Sequence, residues 1–160
     1  MPTLDPRSFI GIDPGAGGGI VRLGPRGTVL DCIKMPTTEA DVWEWFSKFD
    51  GIQLGGEDAK AVIEKVHAMP KQGVSSTFKF GCGYGGLRMA LIAAGIPFDQ
   101  VTPQAWIKAL AIPPKKKTES KTQWKNRLKA HAQQLFPQEK VTLATADALL
   151  IAEYCRRTYR

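Results

Sequence analysis

Ser8-Phe9-Ile10-Gly11-Ile12-Asp13-Pro14-Gly15 is the stretch from which the rest of the chain can be organised. A short apolar run closed by Asp-Pro-Gly reads as a buried strand ending in a turn, with a carboxylate at its last position. Working outward, residues 17–23 and 28–34 are two more apolar stretches, and Gly24-Pro25-Arg26-Gly27 between them predicts a hairpin. Thr37 or Thr38 is placed to cap a helix with Glu39 and Asp41 in its first turn. In that helix Val42, Trp45, Phe46 and Phe49 recur at core-facing spacing. Residues 59–66 read as a fourth strand. A polar loop over 71–76 then leads into a helix capped by Ser75 or Ser76 and running to about residue 94. A fifth strand covers 98–101, and helices are expected from about 119 to 135 and from about 144 to 157. A meander followed by strand–helix alternation predicts one α/β domain over 1–160, a mixed five-stranded sheet flanked by helices, with 1–7 a disordered lead-in.

The 160 residues suffice for one core but not for two, and 43% apolar with 23% charged residues is a globular composition. No apolar run approaches a membrane span, and Met1-Pro2-Thr3-Leu4-Asp5-Pro6 has no basic segment followed by an apolar one, so no signal peptide is expected. Cys32, Cys82 and Cys155 lack metal-ligand spacing and fit a reduced, cytoplasmic protein.

The chain carries 22 Lys and Arg against 15 Asp and Glu, a net of +7. Between Lys108 and Lys140 stand nine basic residues and two acidic ones, Glu119 and Glu139, so the whole excess lies in one stretch. This is the pattern of a surface for a polyanion; a solubilising lysine-rich face is the alternative.

Three carboxylates occupy awkward places. Asp13 ends the first strand, where a turn role is the plain alternative. Alternation puts Glu64 on one face with Val62 and Val66, where it needs a charged partner or a metal. Asp147 shares a helix face with Leu143, Leu150, Ile151 and Tyr154. If the three meet, their repulsion calls for raised pKa values or a bound cation, and hard oxygen ligands favour Mg²⁺. Acids holding Mg²⁺ beside a polyanion surface suggest phosphoryl transfer. The four glycines Gly81, Gly83, Gly85 and Gly86 in one helix each cost roughly 1 kcal/mol relative to alanine. Close packing of another backbone on Gly81 and Gly85 would explain them.

These residues also carry a family resemblance. The run from Phe9 to Gly15 resembles the first-strand motif of the RuvC-type Holliday junction resolvases, and Ile63-Glu64-Lys65-Val66-His67 their second acidic motif. Residues 70–81 resemble the loop and helix start of the phage and chloroplast branches. Val101-Thr102-Pro103-Gln104-Ala105-Trp106 and the run from Ala146 to Ala152 complete five motifs in order.

The resemblance implies an RNase H-like fold and a homodimer that makes paired symmetric nicks in four-way junction DNA, leaving 5′-phosphate and 3′-hydroxyl ends. It implies Mg²⁺, with Mn²⁺ as substitute, one or two ions per subunit, held by Asp13, Glu64 and Asp147; no membrane and no small-molecule substrate enter. Lys121 falls at a catalytic lysine position, and Lys108 one residue off another. DNA contacts are expected at His67, Lys71, Gln72, Ser75, Ser76, Lys79, Lys108, Lys115, Lys116, Lys117, Lys125 and Lys129. His67 stands where some relatives carry an aromatic wedge, a surface histidine being the alternative. Phe78 and Phe80 are expected in the core, and Gly81 and Gly85 at the dimer contact. One departure stands out: where the family places a second acid or a histidine before its last aspartate, this chain has Thr142-Leu143-Ala144-Thr145. Two alternatives follow, a junction-binding protein with little or no cleavage, and another RNase H-like nuclease acting on flaps or RNA.

Overall fold

Alternation along the central strands decides which helices cover which side of the sheet. The computed structural model describes residues 8–49 and 58–160; the expected lead-in over 1–7 lies outside them. In chain order the elements are β1 (Ser8–Asp13), β2 (Gly19–Leu23), β3 (Val29–Lys34), α1 (Glu39–Ser47), β4 (Ala59–Glu64), α2 (Val74–Ala93), β5 (Phe98–Val101), α3 (Pro103–Ala109), α4 (Lys121–Leu135) and α5 (Ala146–Tyr159). The sheet order is β3-β2-β1-β4-β5. β1, β2 and β3 form the antiparallel meander, while β4 and β5 join β1 in parallel. The mixed five-stranded sheet and flanking helices are the RNase H-like α/β arrangement expected from the sequence.

Phe9, Val21, Leu23, Val62 and Val101 point to one side, where they pack with Trp106 of α3, Leu128 and Ala132 of α4, and most of α5. Ile10, Ile12, Ile20, Ala61 and Ile63 point to the other, against Trp45 and Phe46 of α1 and Leu87, Ala90 and Leu91 of α2. Each fully buried large apolar side chain contributes roughly 1.5–3 kcal/mol of transfer free energy, so both layers are needed to stabilise the sheet. Gly11 sets how near α5 comes to β1: a Cβ built there would stand 2.2 Å from the backbone nitrogen of Ala152. Only a glycine lets the helix lie directly on the strand. The far half of α5 is tied down by Glu153, which accepts from Arg156 and Arg157, and by Tyr159, whose hydroxyl donates to Asp99.

Several local expectations need correction. The α2 helix begins at Val74 with Gly73 as its N-cap and no side-chain cap bond, so neither Ser75 nor Ser76 caps it. Strand β4 ends at Glu64, two residues early, although the Lys65 N–H still donates to the Val101 carbonyl. Helix α3, not expected from the sequence pattern, is started by Thr102 and Pro103. Leu143 is exposed and precedes α5, whose residues 146–153 are buried all round, so a single apolar stripe is too narrow a picture of that helix. Phe78 is 73% exposed and not a core residue, whereas Phe80 lies over Gly15 in the turn after β1. Among the described residues nothing outside the helix itself packs on Gly81, Gly83 or Gly85: a Cβ added at any of them meets no atom within 4 Å beyond its own stretch of helix.

Candidate active site

β1 and β4 are parallel neighbours in register at Ile12 and Ile63, so Asp13 and Glu64 end their strands side by side. Both lie on the face covered by α5, Asp13 by its parity with Phe9 and Gly11, and Glu64 by its parity with Val62. Asp147 is buried in the first turn of α5, the positive end of the helix dipole. Gly18 closes the turn between β1 and β2 onto Asp13; a Cβ there would sit 2.0 Å from the Asp13 carbonyl oxygen. Two strand ends and a helix start therefore bring the three acids that the sequence singled out within electrostatic reach of one another.

Their electrostatics show the crowding. Burial, then the charges of Asp147 and Glu64, push the Asp13 carboxyl up to about 8, with Lys125 opposing. Glu64 is also raised, chiefly by burial, although its hydrogen bond from Trp106 favours the carboxylate. The buried Trp106 indole donates to Glu64 Oε2 at 2.7 Å. Lys125 Nζ donates to Asp147 Oδ2 at 3.0 Å. Burial alone would lower the lysine's pKa; the fields of Asp147, Asp13 and Glu64 outweigh it and leave it raised.

Three crowded carboxylates, Asp147 buried and Asp13 and Glu64 half-buried, are hard oxygen donors of the kind a divalent cation such as Mg²⁺ takes. Among the described residues no three His, Cys, Asp or Glu side chains converge closely enough to hold an ion. Glu64 is engaged by Trp106 and Asp147 by Lys125, and an ion would displace at least the second of these partners. The donor chemistry fits the metal, and the elements that carry the three acids are held by the core on either side of them.

The sequence pattern places Lys125 among general DNA contacts, whereas it stands at the acids themselves. Lys121 opens α4 one turn earlier on the same helical face and is exposed. The capping box of Ser120 and Gln123 fixes that turn. Lys129 follows Lys125 by another turn and is half-buried. Lys108, Lys115, Lys116 and Lys117 are exposed, as are His67, Lys71 and Lys79. Gln72 is committed to its own loop, its side-chain oxygen accepting from the Met69 N–H. Ser75 and Ser76 are exposed in the first turn of α2. Arg127, also in the basic stretch, is spent internally on Glu119 and on the carbonyls of Pro113 and Pro114. In the sequence Trp106 stands only as the end of a motif, yet the signal for its role is there. A buried indole N–H needs an acceptor, and its helix follows the strand beside β4.

The sheet order and its flanking helices make an RNase H-like fold, with Asp13, Glu64 and Asp147 on one face of the sheet. No family model matches the chain, and no curated protein matches it. Among solved structures, Thermus thermophilus RuvC matches with a TM-score of 0.57 at 19% identity, covering 94% of this chain and 96% of that one. T. thermophilus RuvC in complex with Holliday junction substrate matches with the same score, identity and coverage. The chain shares the RuvC fold over nearly its whole length.

Proposed function

We propose that the protein is a Mg²⁺-dependent endonuclease that resolves four-way DNA junctions by paired symmetric nicks, working as a homodimer. The observation that carries this reading is that Asp13, Glu64 and Asp147 lie within one another's electrostatic reach on one face of a RuvC-like sheet, beside a lysine-bearing helix. The RuvC neighbour solved with junction substrate supports the choice of DNA over other polyanions.

Bound Mg²⁺, held by the three carboxylates, would supply an activated water and neutralise charge at the scissile phosphate. The chain's own residues do the rest. Asp13 must give up its proton to become a ligand, because burial and its acidic neighbours raise its carboxyl to about 8. Trp106 restrains one oxygen of Glu64 and so limits the directions in which that carboxylate can turn. Lys121 offers an ammonium to the developing charge on the phosphate or leaving oxygen. Lys108, Lys115, Lys116 and Lys117 hold backbone phosphates without reading sequence.

A homodimer is supported by one face of α2. Val74, Phe78, Met89 and Ile92 are exposed at helical spacing, with Gly81 and Gly85 between them. A second copy laid on this stripe would bury the apolar side chains and meet the bare backbone of the glycines. A cytoplasmic setting fits the three free thiols.

Asp13→Asn should abolish Mg²⁺-dependent nicking of a synthetic four-way junction while leaving junction binding intact; undiminished cleavage would sink the assignment. One observation favours a second reading, junction binding without turnover: Thr142 and Thr145 bond each other and offer no carboxylate or imidazole beside Asp147. Binding without product at any Mg²⁺ or Mn²⁺ concentration would establish it. Preference for flaps or RNA over junctions at equal salt would instead mark a different RNase H-like nuclease.

A further inference from the structure

We infer that the basic stretch holds a pocket for one unstacked base of a nucleic-acid strand, between α3 and the first turns of α4, with Trp124 as its stacking surface. The inference goes beyond the cutting of phosphodiesters and rests on the reading above only for nucleic acid as the partner.

The pocket encloses about 630 Å³, within the range of small-molecule sites. Ile107 of α3, Ile112 and Pro114 of the segment that follows, and the Trp124 ring of α4 make its walls apolar. These walls are built before any ligand arrives. Arg127 donates to the Pro113 and Pro114 carbonyls and to both carboxylate oxygens of Glu119, and its guanidinium lies over the Trp124 ring, 4.5 Å from the centroid. One side chain thus ties the prolyl wall to the tryptophan wall. Trp124 and Ile107 are also packed against the core beneath them.

The rim decides what the pocket takes. Lys108 and Lys115 line it, and no acidic residue does. Glu119, which feels the charge of Lys115, is matched by Arg127. An apolar interior under a cationic rim complements a group that is flat and apolar on its faces and anionic where it is attached. A nucleotide of a single strand has that division, a base with a phosphate on either side. Stacking on an aromatic ring and lysines on the backbone are the two terms by which unpaired strands are held. Gln104, also in the lining, has an amide that both donates and accepts and so suits the edge of a base. A neutral apolar ligand would leave both ammonium groups without a counter-charge. The position suits the substrate as well: α3 carries Trp106 to Glu64 and α4 carries Lys125 to Asp147, so the pocket shares both its helices with the acids. A base stacked and paired in a duplex cannot enter, so the pocket selects strands that have opened.

The test separates the base from its phosphates. Full-length protein in chelator is titrated by fluorescence anisotropy with a labelled oligothymidylate and with an abasic strand of the same length and charge. The wild type should bind the base-bearing strand about tenfold more tightly, a comparison that needs no variant. Trp124→Ala should lose most of that preference while holding the abasic strand within about twofold of the wild type. Trp124→Phe, which keeps a ring, should retain the preference. Lys108→Gln should weaken both strands alike, because it removes a phosphate contact and no stacking. Equal binding of the two strands by the wild type would overturn the inference. So would a Trp124→Ala variant that weakens both equally, which would mark a structural role only. An acidic peptide bearing phenylalanine that binds the wild type more tightly than oligothymidylate, and loses that affinity in Trp124→Ala, would assign the pocket to a protein partner and overturn it too. If the wild type nicks no junction, the proposed reaction fails and the strand affinities still decide the pocket. If it nicks junctions but binds both strands alike, the pocket fails alone.

Discussion

Burial makes Asp13 a carboxyl that keeps its proton, and this has a measurable sign. Its pKa is raised from 3.8 to about 8 in the folded protein, so between those values the native state holds a proton that the unfolded chain has released. Stability in chelator should therefore fall as pH rises through this window, and Asp13→Asn should remove that slope. Urea unfolding at several pH values checks both, and a slope of opposite sign would contradict the burial of the group. Trp106 makes a second residue-scale case. Trp106→Phe keeps most of the ring volume but removes the donor to Glu64 Oε2. By analogy with other supports of metal-ligating carboxylates, nicking should drop about 10- to 100-fold with junction affinity little changed. The acids were legible in the sequence because a carboxylate in an apolar run is conspicuous. Lys125 and Trp106 were not, because a lysine in a basic stretch and a tryptophan in a helix look ordinary until the fold supplies their partners.

Among the elements, α5 and β1 form the joint on which the site depends. Asp147 comes within electrostatic reach of Asp13 because Gly11 lets the helix backbone lie on the strand. Gly11→Ala forces a Cβ into the main chain of α5 and should destabilise the protein by about 3 kcal/mol or more, read from denaturant midpoints. Any variant that still folds should lose nicking, since the helix start must shift. The strands and the meander could be read from alternation and turn residues, because those signals are local. The start of α2 could not: two serines resemble caps, yet the extended Gly73 backbone begins the helix without a side-chain bond. Phe78 misled for a different reason. Helical spacing reveals that a face is apolar, but not whether this chain or another molecule covers it.

For the whole molecule, the basic excess becomes a surface only after internal pairs are removed. Arg127 is spent on Glu119, which it holds at a pKa of about 2, whereas Lys115, Lys116 and Lys117 stay exposed. Replacing these three lysines with alanine should weaken junction binding about equally across sequences. It should also lower the slope of log affinity against log salt by about 0.9 for each phosphate no longer neutralised. An unchanged slope in fluorescence anisotropy titrations would remove them from the DNA surface. The two faces of the sheet divide the labour: α3, α4 and α5 surround the acids, and α2 on the other side carries the bare stripe proposed for a second copy. That division hangs on parity. Phe9, Gly11 and Asp13 share a side only because strand residues alternate, so β1 behaves as a reading frame with a period of two. One residue gained or lost ahead of Asp13 would carry its carboxylate across to the layer of Ile63 and Leu91, away from Lys125 and Asp147. Side chains on this strand can be exchanged for others of similar size; its length cannot be changed by one.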